Sequence, residues 1–251
     1  MFRVAKDSPL RKPPQRISEQ QIVLLDGIRY SADMAGIAID RLWAQLCFID
    51  STEREIEPSD IAAAALDAWS IIDAAHRMSD LVENLPGLPN SLWRRIFRQR
   101  IEDVLALRDM WQHHVGEAPA VVQQRGQAWG ALAWAQHKDH RPTGRWYLAI
   151  AGSDLKGSEW LFAGPVNDVP RVDTHRIRLL HSDHSIYLSR LVRDMFEAVH
   201  NLELELAAGK VRLVGEQVNQ PRSNDWVTSI VIEAVIAVDP CPSKTDNPSG
   251  Q

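Results

Sequence analysis

The sequence predicts an α+β fold: an N-terminal antiparallel helical bundle, then a small antiparallel sheet with one long helix packed on it. Three observations carry this. Apolar residues recur at three- and four-residue steps through three long segments before Gly116. Beyond it, short runs rich in tryptophan, valine and isoleucine alternate with polar turns. Helical periodicity then returns once, between Ser189 and Gly209. The expected organisation is a poorly ordered arm over 1–16, a bundle over 17–127, a mixed strand and helix part over 128–238, and a disordered polar tail over 239–251.

Ser18 with Gln21 forms a capping-box pattern, and Ile22, Leu25, Ile28, Ala32, Ile39, Leu42, Leu46 and Ile49 follow helical spacing to about Asp50. Gly27 and Gly36 lie inside this helix and imply a close contact or a bend. Asp50 to Glu57 reads as the connection. Pro58 and Ser59 open a second helix carried by Ile61, Ala65, Ala68, Trp69, Ile72 and His76, and Leu85-Pro-Gly-Leu-Pro89 ends it. A third long helix is expected from Asn90 to Val115, with Trp93, Phe97, Ile101, Val104 and Trp111 on one side. Short connections make an antiparallel bundle the economical packing, with Trp43, Trp69, Trp93 and Trp111 in its core.

Pro119 to Gln127 fits a short helix. Trp129 to Trp134 and Arg145 to Ile150 read as strands separated by the polar turn HKDHRPTG, with a brief strand near Glu159 to Phe162 and a loop from Asp168 to Asp173. Arg176 to Leu180 and Ser185 to Leu188 resemble a hairpin. Ser189 is placed to cap a helix that Gly209 ends. Lys210 to Gly215 and Val227 to Val238 are strand-like.

Composition narrows the functional classes. The chain has 251 residues, 45% apolar and 24% charged, with a formal net charge of -5. That balance suits a soluble globular protein and confines any nucleic-acid binding to a local patch. Two cysteines, Cys47 and Cys241, make a disulfide framework an unneeded assumption and fit a reducing, cytoplasmic setting. No apolar run approaches the roughly 20 residues of a membrane span. Neither a P-loop, a Rossmann glycine fingerprint nor HExxH occurs, and no Ser-His-Asp order is recognisable.

The third helix carries the candidate chemistry. Arg94, Arg95, Arg98 and Arg100 cluster in what would be its first turns, where the helix dipole favours acids. Two readings follow: pairing with acids of a neighbouring segment, with Glu53, Glu55 and Glu57 as candidates, or an anionic partner such as RNA or an acidic protein. At the other end lies Arg108-Asp109-Met110-Trp111-Gln112-His113-His114.

An arginine followed after four residues by a histidine, with a polar residue next to the arginine, on a helical bundle, resembles the HEPN superfamily over about residues 18–127. The resemblance implies a metal-independent RNA endonuclease of a defence or toxin system, or a non-catalytic binding and dimerisation relative, without a cofactor. By that resemblance Arg108 holds the scissile phosphate, His113 is the general acid and base, and Asp109 orients one of them. Arg94, Arg95, Arg98, Arg100 and His114 bind the nucleic acid or partner, and the protein is a homodimer. Residues five apart on a regular helix lie about 140° apart. Arg108 and His113 therefore converge only if the helix ends near Gln112 or a second chain contributes.

His137-Lys-Asp-His140 and His181-Ser-Asp-His184 share a His-x-Asp-His form. Two polar hairpin turns are the simpler reading, and a zinc or manganese site requires both to meet at one sheet edge. His76 reads as a hydrogen-bonded histidine on the apolar side of the second helix.

Overall fold

The computed structural model describes residues 2–13, 17–52, 54–112, 122, 129–138, 141–151, 177–181 and 184–216, with no account of the side chains of 110, 111, 136–138 and 141–146. The expected features at Pro119–Gln127, Glu159–Phe162, Asp168–Asp173, Val227–Val238 and the 239–251 tail lie outside the described residues. Within them, five helices and a four-stranded antiparallel sheet bear out the α+β class.

Helix α1 runs Glu19–Ser51 and α2 runs Pro58–Glu83. Ser18 caps α1 through the capping box, its hydroxyl accepting from the Gln21 N–H at 3.3 Å while the Gln21 carboxamide oxygen accepts from the Ser18 N–H at 3.0 Å. The Gln21 amide also donates to the carbonyls of Pro86 at 2.8 Å and Arg212 at 2.7 Å. One cap thus ties together three stretches distant in sequence. Pro58 sits in the first turn of α2 behind Glu57, where a missing N–H costs nothing. Asp60 accepts from the Glu57 N–H at 2.9 Å, and that bond, with Arg54 nearby, holds its carboxyl below the ordinary range despite burial.

The two helices run antiparallel, since Gln45 meets Asp60 while Arg41 meets Asp67 and Gly27 faces Leu81. Between them, Leu25, Ile28, Leu42 and Leu46 pack with Ile71, Ile72 and Met78, all fully buried. Alanines 64, 68, 74 and 75 let the backbones approach.

The expected single helix from Asn90 to Val115 is two helices. Helix α3 spans Leu92–Arg100 and α4 spans Glu102–Gln112, with fully buried Ile101 closing the first at φ -107, ψ 7. The break removes the apparent charge anomaly for Arg98 and Arg100, while Arg94 and Arg95 stay in the first turn of α3. Arg98 and Arg100 now occupy the last turn of a helix and Glu102 and Asp103 the first turn of the next, each where the dipole favours that sign.

Strands β1 (Ala131–Lys138) and β2 (Arg141–Ile150) form a hairpin, and β3 (Ile177–His181) with β4 (His184–Tyr187) a second. The order is β2-β1-β3-β4, so β1 is central. Its stretch Ala131 to Ala135 is wholly buried, as a strand covered on both faces must be. The first hairpin turn is tighter than HKDHRPTG suggests, because an irregularity between Ala135 and His137 lets pairing resume to Lys138↔Arg141.

Helix α5 spans Leu188–Ala207. Tyr187, not Ser189, is its N-cap; the Ser189 hydroxyl instead accepts from the Ile177 N–H at 3.2 Å at the start of β3. Gly209 ends α5 as expected, with its N–H bonded to Leu206 and that of Lys210 to Glu205, the Schellman pattern. Residues 210–215 are not a strand. Arg212 bonds Gly87 through its N–H at 2.9 Å and Gln21 through its carbonyl, so its backbone groups have loop partners rather than a ladder. One buried apolar cluster runs from Val4 to Leu206 through helices and sheet alike, and α5 belongs to it as much as α1 does.

Residues 2–13, expected within a poorly ordered arm, pack on α1 and α5. Leu10 is fully buried, Asp33 accepts from the Val4 N–H at 2.8 Å and pairs with Arg11 at 2.7 Å, Phe2 lies against Phe196, and Ser8 bonds Glu203. Gly36 permits this, because a Cβ there would overlap the Phe2 carbonyl oxygen. In an open helix Gly→Ala gains about 1 kcal/mol. Gly36→Ala is therefore expected to destabilise the full chain by roughly 1–3 kcal/mol, yet to stabilise a chain lacking residues 1–13. Urea titration of the four proteins checks this, and the same sign in both backgrounds would contradict the packing.

Candidate functional site

The arginine cluster is largely committed to this chain. Arg94 donates to the carbonyls of Leu88 at 3.2 Å, Pro89 at 3.1 Å and Glu83 at 3.3 Å, closing the turn between α2 and α3. Arg98 lies 3.6 Å from the Glu83 carboxylate. Arg100 bonds Asp194 at 2.9 Å and Glu197 at 2.8 Å, pinning α3 to α5. Arg95 remains on the exposed face. Pairing with neighbouring acids is thus the observed arrangement, but the acids come from the end of α2 and from α5. Glu57 caps α2, Glu55 is exposed beside Arg54, and Glu53 lies outside the described residues.

Arg108 sits on α4 with a mostly buried side chain, 3.7 Å from the exposed carboxylate of Asp109. Its Nε is buried and has no hydrogen-bond acceptor among the described residues. His113 and His114 lie outside the described residues. Gln112, one turn beyond Arg108 on the same helical face, is exposed.

The two His-x-Asp-His stretches fall at opposite ends of the sheet. Ala131 pairs with Leu180 and Trp134 with Ile177, so His181 lies near the start of β1 while His137 lies near its end. Seven residues of strand separate those levels, about 23 Å, which rules out one metal held by both stretches. His181 is buried with its ring edge-on to Trp69, centroids 6.0 Å apart. Among the described residues, no three His, Cys, Asp or Glu side chains gather as a metal site. His76 pairs with Asp80 at 3.3 Å on α2.

One broad concavity has no motif in the sequence to mark it. A groove of about 1190 Å³ runs along α2 from Ile56 to Arg77. Ile61, Ala62, Ala65, Leu66 and Trp69 form its floor, and Gln112, Trp129 and Ile150 form the far wall. The Trp69 indole donates to the Trp129 carbonyl at 3.2 Å, which fixes floor and wall together. Glu57 stands at one end; Ser70 and the Asp73–Arg77 pair, 2.7 Å apart, stand towards the other. Leu66 is 63% exposed there. The signal was present in the composition of α2: between Ile61 and Ile72 the only charged residue is Asp67. A helix apolar on nearly every side needs more than one covering neighbour.

Comparison with protein-family models, with curated proteins and with solved structures yields no match to this chain.

Burial raises the Asp194 carboxyl above its ordinary value, opposed by the charges of Arg100 and Arg190. A carboxyl so raised weighs against folding once ionised, above its folded pKa, and has no effect below its unfolded one. Arg100→Met removes the main opposing charge. It is expected to lower stability by about 1–2 kcal/mol near pH 7 and by distinctly less near pH 3, where Asp194 is protonated in both states. Chemical denaturation at both pH values checks this; an equal loss would show that Asp194 is not the group involved.

Proposed function

We propose that this protein is a non-catalytic binding module whose recognition element is the α2 groove. Its occupant is the apolar face of an amphipathic helix on a partner protein. The observation that carries this reading is the groove itself: long, apolar along its floor, and polar at its ends. From Pro58 to Arg77 it spans about 28 Å of helix rise. Its volume is above the range of roughly 300–1,000 Å³ usual for small-molecule pockets. A helix laid in a groove presents anchors at one-turn intervals, matching the spacing of Ala62, Leu66 and Trp69. Glu57, Asp73 and Arg77 then set polarity and direction.

Leu66 is the test position because its exposure frees it from the core. The environment-sensitive dye anilinonaphthalene sulfonate is expected to bind the groove. Leu66→Glu should weaken that binding by about tenfold or more without shifting the thermal midpoint. Unchanged dye affinity would contradict the reading.

A second reading has one observation in its favour, the buried and unpartnered Nε of Arg108. A guanidinium held without its full set of acceptors is suited to phosphate oxygens. In the HEPN manner, the RNA 2′-hydroxyl attacks the adjacent phosphorus and the 5′-oxygen leaves with a proton from His113. His113 first takes the proton of the attacking 2′-hydroxyl and so has one to return to the 5′-oxygen, and Arg108 stabilises the negative charge that develops on the phosphoryl oxygens. The setting would be defence or toxin action. RNA incubated with the protein in EDTA should then yield 2′,3′-cyclic phosphate ends, lost in Arg108→Ala and in His113→Ala. Intact RNA across structured and unstructured substrates would remove this reading.

A further inference from the structure

The middle of α1 exposes only apolar side chains. Between Ile28 and Ile39 the solvent-facing residues are Tyr30, Met34 and Ile37, at 48%, 51% and 43% exposure, and every other position is buried. Elsewhere on a surface helix these are the positions that carry charge. Val23 and Phe48 extend the line in the two directions. At 100° per residue, Val23, Tyr30, Met34, Ile37, Arg41 and Phe48 fall within an arc of about 60°. Their spacing is that of a two-helix seam, three and four residues alternating.

We propose that this stripe is a two-fold interface between two copies of the chain, with α1 packed antiparallel on its partner's α1. The occupant follows from how the positions match. In the register that sets Met34 against Ile37 across the axis, Tyr30 meets Arg41 and Val23 meets Phe48. Apolar faces apolar, and the Arg41 cation is brought to the Tyr30 ring, which within its own chain already packs against the Arg29 guanidinium at 4.0 Å. Arg41 is 62% exposed, held at 3.4 Å by the nearly buried Asp67 and able to reach outward. The same pairing holds from either copy, as a two-fold contact requires. A parallel arrangement would instead stack Arg41 on Arg41.

The seam is about 38 Å long and one helix wide, below the roughly 800 Å² per partner of a standard interface. The dimer is accordingly a concentration-dependent one. It is independent of the α2 groove and of any activity at Arg108.

Sedimentation velocity of the full chain is expected to show mostly monomer near 1 µM and mostly dimer near 100 µM, a dissociation constant of about 10 µM. Ile37→Lys and Met34→Lys should each abolish the dimer while leaving the thermal midpoint of the monomer unchanged, since neither side chain is in the core. The exposed thiol of Cys47, spin-labelled in a Cys241→Ser background, reports the direction. Antiparallel packing in this register places the two Cys47 backbones about 35 Å apart, whereas parallel packing places them within about 15 Å. A monomer at the higher concentration, a dimer that survives both lysine substitutions, or the short label distance would each overturn the proposal.

Discussion

The antiparallel packing of α1 on α2 is the constraint from which the other positions follow. Its seam is built of fully buried leucine and isoleucine interleaved with alanine, and each large side chain so buried is worth about 1.5–3 kcal/mol. Because the helices approach closely, a carboxylate such as Asp67 is caught between them, its pKa raised by burial and drawn back by Arg41. The N-terminal segment and the 210–216 loop dock onto this pair through polar ties at Asp33 and Gln21, and α5 is tied to the N-terminal segment by the Ser8–Glu203 bond. Each helix of the pair also keeps one apolar stripe that the described residues leave exposed. Those two stripes are where we place contact with other molecules.

Much of this frame is legible in the sequence. Ser18 with Gln21 marked the start of α1, Pro58 that of α2, and Gly209 the end of α5, each by local chemistry needing no tertiary partner. The third helix was misread for a physical reason. Apolar periodicity continues unbroken through Ile101, because α3 and α4 each bury a face and Ile101 serves both. Only the charges recorded the break: Arg98 and Arg100 followed by Glu102 and Asp103 is the signature of one helix ending and another beginning. Arg98 and Arg100 look misplaced only when a single helix is assumed.

The candidate site was less legible. Motif reading directs attention to residues with side-chain chemistry, and so to Arg94, Arg100 and the paired histidines. The first two are structural ties, and the sheet register carries the histidine stretches to opposite ends of β1. Distances across a fold are invisible to a pattern six residues long. The α2 groove, in contrast, has no motif at all; it arises where an apolar helix receives too few neighbours. Exposure in three dimensions, not residue identity, defines it. The α1 stripe belongs to the same class, since Tyr30, Met34 and Ile37 are unremarkable core formers until their solvent exposure is known.

Native-state hydrogen exchange tests the primacy of the α1–α2 pair most directly. The amides at the centres of both helices should be the slowest in the chain, sharing one opening free energy equal to that of global unfolding, while α4 amides exchange through smaller openings. Centres of α1 and α2 that open independently of each other, or as readily as α4, would contradict the account.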